Sequence, residues 1–244
     1  RQDDALVVPV AMMGAPTVML EKLPQGGEAL SALQSLQNYL GRKADAVFCI
    51  EAGGLNSTIP IAVAASAGLP IIDGDGMGRA FPELQMVSMT MHHIAACPMV
   101  MADEKGNSLV LNTVDNLSTE KFARVITVEM GGAGLIALYP MNGAQAKKSI
   151  LKGSMSLINA IGRIIHEEQS ANRNPVDKLS RELNGIRIFE GRVKDVERRT
   201  EGGFARGKCS IEGLGKDQGL ELRLHFQNEF LLAETPGGKP RAMT

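Results

Sequence analysis

Two short stretches of the sequence concentrate the side chains that can do chemistry. The first is EAGGLNS, Glu51 to Ser57. It offers a carboxylate at Glu51 and an amide at Asn56 that can both donate and accept. Between them, Gly53 and Gly54 let a backbone approach a ligand closely and leave N–H groups available to it. The second stretch is DGDGMGRAFPELQM, Asp73 to Met86. Here Asp73, Asp75, Arg79 and Glu83 are interleaved with Gly74, Gly76 and Gly78, which predicts an irregular backbone pressed against something. A third feature is Met91-His92-His93. Adjacent histidines on a strand face opposite sides, so one of them at most reaches a given site. With Asp73 or Asp75, His92 or His93 could bind a divalent metal such as zinc.

The patterns around these stretches predict what positions them. Ala46 to Ile50 reads as a compact buried strand that ends in Glu51. Ser57 can cap a helix over Thr58 to Ala67, with Pro60 tolerated in its first turn and Gly68 as its stop. Leu69 to Ile72 reads as a second strand, ending in Asp73. Such a strand–helix–strand unit is right-handed, and its two strands are parallel. Ligands of open α/β sheets bind beyond the carboxyl ends of the strands, so Glu51 and Asp73 are expected in one crevice. Upstream, Leu6 to Met12 suits a buried strand, with Pro9 as a complication, and Glu28 to Leu40 has helical apolar spacing with Gly41 as its stop. Downstream, Glu104 to Asn107 reads as a hairpin turn, and Ser118 to Met130 and Ser154 to Glu168 read as helices. Ser154 is accounted for as an N-cap.

From Ile186 the pattern alternates between glycine-rich turns, and Ile188, Val193, Val196, Phe204, Leu222, Leu224 and Phe226 suit short antiparallel strands. The expected fold is therefore α/β: an N-terminal α/β domain with a partly parallel sheet over residues 1–185, then a β-rich domain over 186–244.

Bulk properties exclude several functions. The chain has 244 residues and a net charge of −1, with no strong basic field for nucleic acid or an anionic membrane. Aromatic residues make up 4%, with no tryptophan, which argues against stacking platforms for single strands. The glycines form neither a GxGxxG fingerprint nor a Walker motif, so nucleotide binding is unsupported, and the acidic loop lacks the later ligands of a calcium loop. The three cysteines are widely spaced, and Cys49 and Cys97 lie in apolar runs, as buried structural thiols do. A reducing cytoplasm is the expected compartment. The chain opens at Arg1, almost within a strand, and reads as part of a longer protein.

At EAGGLNS, DGDGMGRAFPELQM, GSMSLINAIGR (Gly153 to Arg163) and FQNEFLLAE (Phe226 to Glu234), the sequence resembles the S-methyl-thiohydantoin desulfurase family, long known only as a domain associated with hydantoinases and oxoprolinases. The resemblance runs over most of the chain and implies an α/β domain followed by a β-rich one. It also implies hydrolytic removal of methanethiol from an S-methylated thiohydantoin. For that reaction, Glu51 or Asp73 is the expected general base. Asp75 or a nearby histidine is the expected proton donor. Arg79 and Glu83 would hold the substrate's polar tail, and Asn56 with the Gly53 and Gly54 amides would read the planar ring. If a metal activates the water, His92, His93 and the aspartates are the clustered ligands. The expected partners are a small-molecule substrate and a second copy of the chain or a hydantoinase-type subunit. The competing function is a non-catalytic binding or accessory subunit that uses the same crevice.

Overall fold

A computed structural model describes residues 3–244, apart from the side chains of residues 16 and 20. The chain divides into two compact units, one running to Met155 and the other Ser156–Thr244.

The first unit contains β1 (Leu6–Gly14), α1 (Glu28–Leu40), β2 (Ala46–Cys49), α2 (Ile59–Ala67), β3 (Gly74–Asp75), α3 (Ser88–Met91), β4 (Met99–Ala102), β5 (Ser108–Leu111), α4 (Asn116–Glu129), β6 (Ala133–Ala137), β7 (Met141–Asn142), α5 (Gly143–Ser149) and β8 (Leu151–Lys152). The main sheet runs β2-β1-β6-β4-β5 and is mixed. β1 and β2 are parallel, with Val8 opposite Val47, whereas β1 pairs β6 antiparallel and β4 pairs both β5 and β6 antiparallel.

Every residue of β1 is buried, as expected of a central strand covered on both faces. Its alternate side chains feed two cores. Val8 and Val10 pack with Leu33 and Leu36 of α1 and Val63 of α2. Val7, Ala11 and Met13 pack on the other face with Phe48, Tyr139, Ala123 of α4 and Ala146 of α5. Pro9 is tolerated because it sits where β1 changes partner: the pairing with β7 ends at Val7, and that with β6 begins at Val10. α1 and α2 both stop at a left-handed glycine, Gly41 and Gly68, each at φ 65°.

The strand expected over Leu69 to Ile72 is reduced to one parallel bridge, Ile71 to Val47. The Val47 N–H donates to the Pro70 carbonyl (3.1 Å), and the Ile72 N–H donates to the Val47 carbonyl (2.9 Å). Pro70 has no N–H to extend the ladder. The chain then turns away at Asp73, and β3 pairs antiparallel with β8, Gly74 opposite Lys152 and Asp75 opposite Leu151. The sequence places the segment correctly beside β2 but ends it two residues before the acid that is anchored in a ladder. The hairpin at 103–107 forms as expected. The buried Asp103 carboxylate accepts the Lys105 and Asn107 N–H groups and links β4 to β5.

The second unit takes in most of α6 (Ser154–Ser170), then α7 (Val176–Glu182) and a meander of β9 (Gly191–Glu201), β10 (Phe204–Gly213), β11 (Glu221–Gln227), β12 (Glu229–Thr235) and β13 (Lys239–Met243). These strands form one antiparallel sheet in the order β13-β12-β11-β10-β9. Among the described residues no helix is long and apolar enough to cross a membrane.

Candidate functional site

Glu51 follows the carboxyl end of β2, and its carboxylate is held from two sides. Oε1 accepts from Asn56 Nδ2 (2.7 Å), and Oε2 accepts from the Phe81 N–H (2.7 Å). Asn56 is itself buried and fixed to β1: its Oδ1 accepts from the Met12 N–H (2.8 Å), and its Nδ2 also reaches the Met12 carbonyl (3.2 Å). The amide thus pairs with an extended strand on one side and orients Glu51 on the other. Glu51 remains half-buried, so solvent still reaches it. The Gly53 N–H donates to Ser57 Oγ (3.0 Å), which closes the loop ahead of α2; Ser57 serves there rather than as the helix cap, a position held by Thr58.

Asp75 has no exposed surface. Its Oδ2 accepts the Ala52 N–H (2.8 Å) and the Gly78 N–H (2.8 Å), and its Oδ1 accepts the Ser154 hydroxyl (2.6 Å). A buried carboxylate satisfied by several N–H and O–H donors is a fixed anchor. It ties the Glu51 loop, the glycine loop and the start of α6 to one point. The sequence reading missed Ser154 in this role, although GSMS is part of the stretch that carries the resemblance. Gly76 lies between these loops; a Cβ there would sit 2.8 Å from the Ile50 carbonyl oxygen and 2.8 Å from Met89 Cε. Its N–H donates to that same Ile50 carbonyl (2.9 Å), so the glycine loop is stitched directly to the end of β2.

The rest of the loop is held by α4. The buried Glu120 accepts the Leu84 N–H (2.9 Å) and pairs with Arg124 (2.8 Å), which also donates to the Pro82 carbonyl (3.0 Å). Arg79 stacks over the Phe81 ring at 5.3 Å and donates from Nε to the Ala80 carbonyl (3.1 Å). Glu83 accepts from Gln85 Nε2 (2.7 Å). Gly53 comes close to Ala80, where an added Cβ would lie 3.1 Å from its methyl group, whereas Gly54 faces open space. The structure therefore brings Glu51, Gly53, Asn56, Asp75 and the 79–81 segment together through direct contacts. Asp73 is exposed, and its carbonyl accepts the Gly153 N–H (3.1 Å).

His92 and His93 follow α3 rather than lying on a strand, and both are exposed. His93 adopts a left-handed backbone at φ 57°. Among the described residues there is no group of three or more His, Cys, Asp or Glu side chains placed to hold a metal ion. The donors on Asp75 explain part of this, because its oxygens face N–H and O–H groups. The residues present thus do not fit the metal set drawn from the sequence.

Cys49 lies beneath Glu51, with its thiol directed at the Asn56 carbonyl (3.0 Å) and the Glu51 carbonyl. Burial pushes the thiol up to about 12, with the negative charges of Asp75 and Glu51 adding to the rise. It is a neutral hydrogen-bond donor at ordinary pH and not a nucleophile. Tyr139, buried against Thr90 Oγ1 (3.0 Å) and the Leu84 carbonyl (3.2 Å), is likewise pushed up to about 12, mainly by burial. Glu51, partly exposed and oriented by Asn56 and the Phe81 N–H, is the carboxylate just past the end of β2.

Comparison with known proteins covers the chain from end to end, with two family models that meet at residues 113 and 114, inside the first unit. A protein from Chromobacterium violaceum, solved by X-ray crystallography, superposes with a TM-score of 0.77 at 26% identity. The match covers 100% of this chain and 66% of that one, so the chain spans just under two thirds of that protein's length. No curated protein sequence matches. The S-Me-THD-like N-terminal domain model matches residues 1–113 and the S-Me-THD-like C-terminal domain model matches residues 114–244, and the chain accordingly belongs to the S-methyl-thiohydantoin desulfurase-like family.

Proposed function

We propose that the chain is a hydrolase of small cyclic amides and thioamides that removes methanethiol from an S-methylated thiohydantoin. The observation that carries this reading is the carboxylate of the partly exposed Glu51, fixed by Asn56 and the Phe81 N–H. Membership of the S-Me-THD-like family supports this substrate class.

In this reading Glu51 takes a proton from water as the oxygen attacks the ring carbon that bears sulfur. The C=N electron pair moves to the ring nitrogen, which takes the proton from Glu51 and so restores the carboxylate. The tetrahedral centre then collapses, the C–S bond breaks, and the carbonyl of the hydantoin forms. The leaving methanethiolate takes the second proton of the attacking water. Arg79 and Glu83 are the groups for the ring substituent, Asp73 is the exposed second carboxylate, and the Gly53 and Gly54 segment lies against the ring. Asp75 acts in this scheme by holding the loops, not by donating a proton.

The test is a panel of hydantoins and S-methyl-thiohydantoins assayed for free thiol and ammonia. Thiol release from the S-methyl compounds supports the reading. Binding without turnover of any compound favours the accessory-subunit alternative.

A further inference from the structure

Helix α4 buries one side through Thr119, Glu120, Ala123 and Thr127. Its other side carries Leu117 (49% exposed), Phe122 (58%), Val125 (64%) and Val128 (47%), and Val114 (94%) stands just before the helix. These apolar residues lie three, five, three and three positions apart, which at 100° per residue keeps them on the side turned away from the core. A helix in water normally shows the reverse pattern, and a contiguous apolar face of this kind marks an interface.

The charges on this face are arranged for a particular partner. Lys121 and Glu129 are both exposed and lie four residues before and four residues after Val125. They are too far apart to meet in one helix, at about 12 Å along the axis. Lys121 senses Asp115 electrostatically, but neither Lys121 nor Glu129 forms an ion pair with a described residue. If a two-fold axis passes by Val125 and a second copy of α4 lies antiparallel, Lys121 comes level with the partner's Glu129, and this happens twice. The same axis sets Phe122 against the partner's Val128. The face is thus self-complementary in both apolar and charged positions, which is what an isologous interface requires.

We propose that α4 is the contact of a homodimer, with a second copy of this chain as the occupant of its apolar face and Val125 at the dyad. The helix is only about 21 Å long, shorter than a standard interface needs, so the dimer is weak and forms in the micromolar range.

Sedimentation velocity of the 244-residue chain from about 1 to 100 µM tests this. The wild-type chain is expected to pass from monomer to dimer across that range. Val125→Asp, at an exposed position, is expected to stay monomeric with unchanged far-ultraviolet circular dichroism. Lys121→Glu and Glu129→Lys singly are each expected to weaken association roughly tenfold, and the double variant to recover to within about threefold of wild type, because it restores both pairs in reverse. A wild-type chain that is monomeric throughout overturns the proposal. A dimer that survives Val125→Asp, or charge variants that do not weaken and rescue as stated, also overturns it.

Discussion

Asn56 joins the candidate base to the middle of the sheet: its Nδ2 lies 2.7 Å from Glu51 Oε1, and its Oδ1 accepts from the Met12 N–H at 2.8 Å. One buried amide therefore does two jobs. It satisfies the backbone of β1 where no neighbouring strand does, and it fixes the carboxylate that follows β2.

Replacing Asn56 with Ala should expose this coupling. The Met12 N–H is left buried without an acceptor, at a cost of about 1–3 kcal/mol. Urea denaturation should show a lower midpoint with an unchanged slope. Turnover should fall beyond what the lost stability explains, because Glu51 loses an orienting donor. Turnover per folded molecule equal to wild type would separate Asn56 from the site.

Asp75→Asn should be a stability variant. The substitution preserves shape but removes the charge and leaves one acceptor oxygen where two now serve the Ala52 and Gly78 N–H groups and the Ser154 hydroxyl; an NH2 on the Oδ1 side meets the Gly78 N–H, and Ser154 must turn its proton to the Leu151 carbonyl. A loss of about 2–4 kcal/mol is expected, with Ser154→Ala nearer 1 kcal/mol. Thermal unfolding of the two variants side by side checks the order, and a larger loss for Ser154→Ala would contradict it.

Gly76 and Gly54 make a matched pair. An alanine methyl at 76 meets a backbone oxygen and Met89 at 2.8 Å each, while at 54 nothing lies within 4 Å. Gly76→Ala should cost about 2–3 kcal/mol through forced movement of the loop against β2. Gly54→Ala should change stability by no more than about 0.5 kcal/mol, so any loss of turnover there reads the ligand's approach directly.

Cys49 gives a prediction in pH. Folding raises the thiol from its ordinary 9.0 to about 12, so the folded state holds the proton more tightly than the unfolded one. The resulting stability is complete below pH 9 and is lost as pH rises from 9 to 12. Wild type should therefore lose thermal stability more steeply than Cys49→Ala above pH 9. Native protein should resist alkylation of this thiol at pH 8, and Cys49→Ala should keep its turnover.

Much of the site was legible in the sequence, because local pattern dictates where a strand ends and a loop begins. The strand before Glu51, the glycine stops of α1 and α2, and the crossover beside β2 all follow from apolar runs and punctuating glycines. The partners of the acids were not legible, because they come from far along the chain. Phe81 reaches back to Glu51, Ser154 reaches back to Asp75, and Glu120 of α4 reaches back to Leu84. Ser154 looked like an ordinary cap, since a serine before an amphipathic run is locally sufficient for one. Periodicity also could not say that Leu69 to Ile72 makes a single bridge, because Pro70 limits the ladder only once β2 lies alongside. Strand geometry does not apply to His92 and His93, because the short turn of α3 runs directly into them.

The central claim rests on Glu51, and the most direct measurement is the rate of thiol release from an S-methyl-thiohydantoin by wild type and Glu51→Gln. Glutamine can still accept from Asn56 or the Phe81 N–H but cannot take a proton from water. Turnover per folded molecule is expected to fall roughly 10²–10⁴-fold with the substrate still bound, alongside a modest loss of stability because the new NH2 faces one of the two N–H donors. Turnover of Glu51→Gln within a few-fold of wild type would contradict the claim.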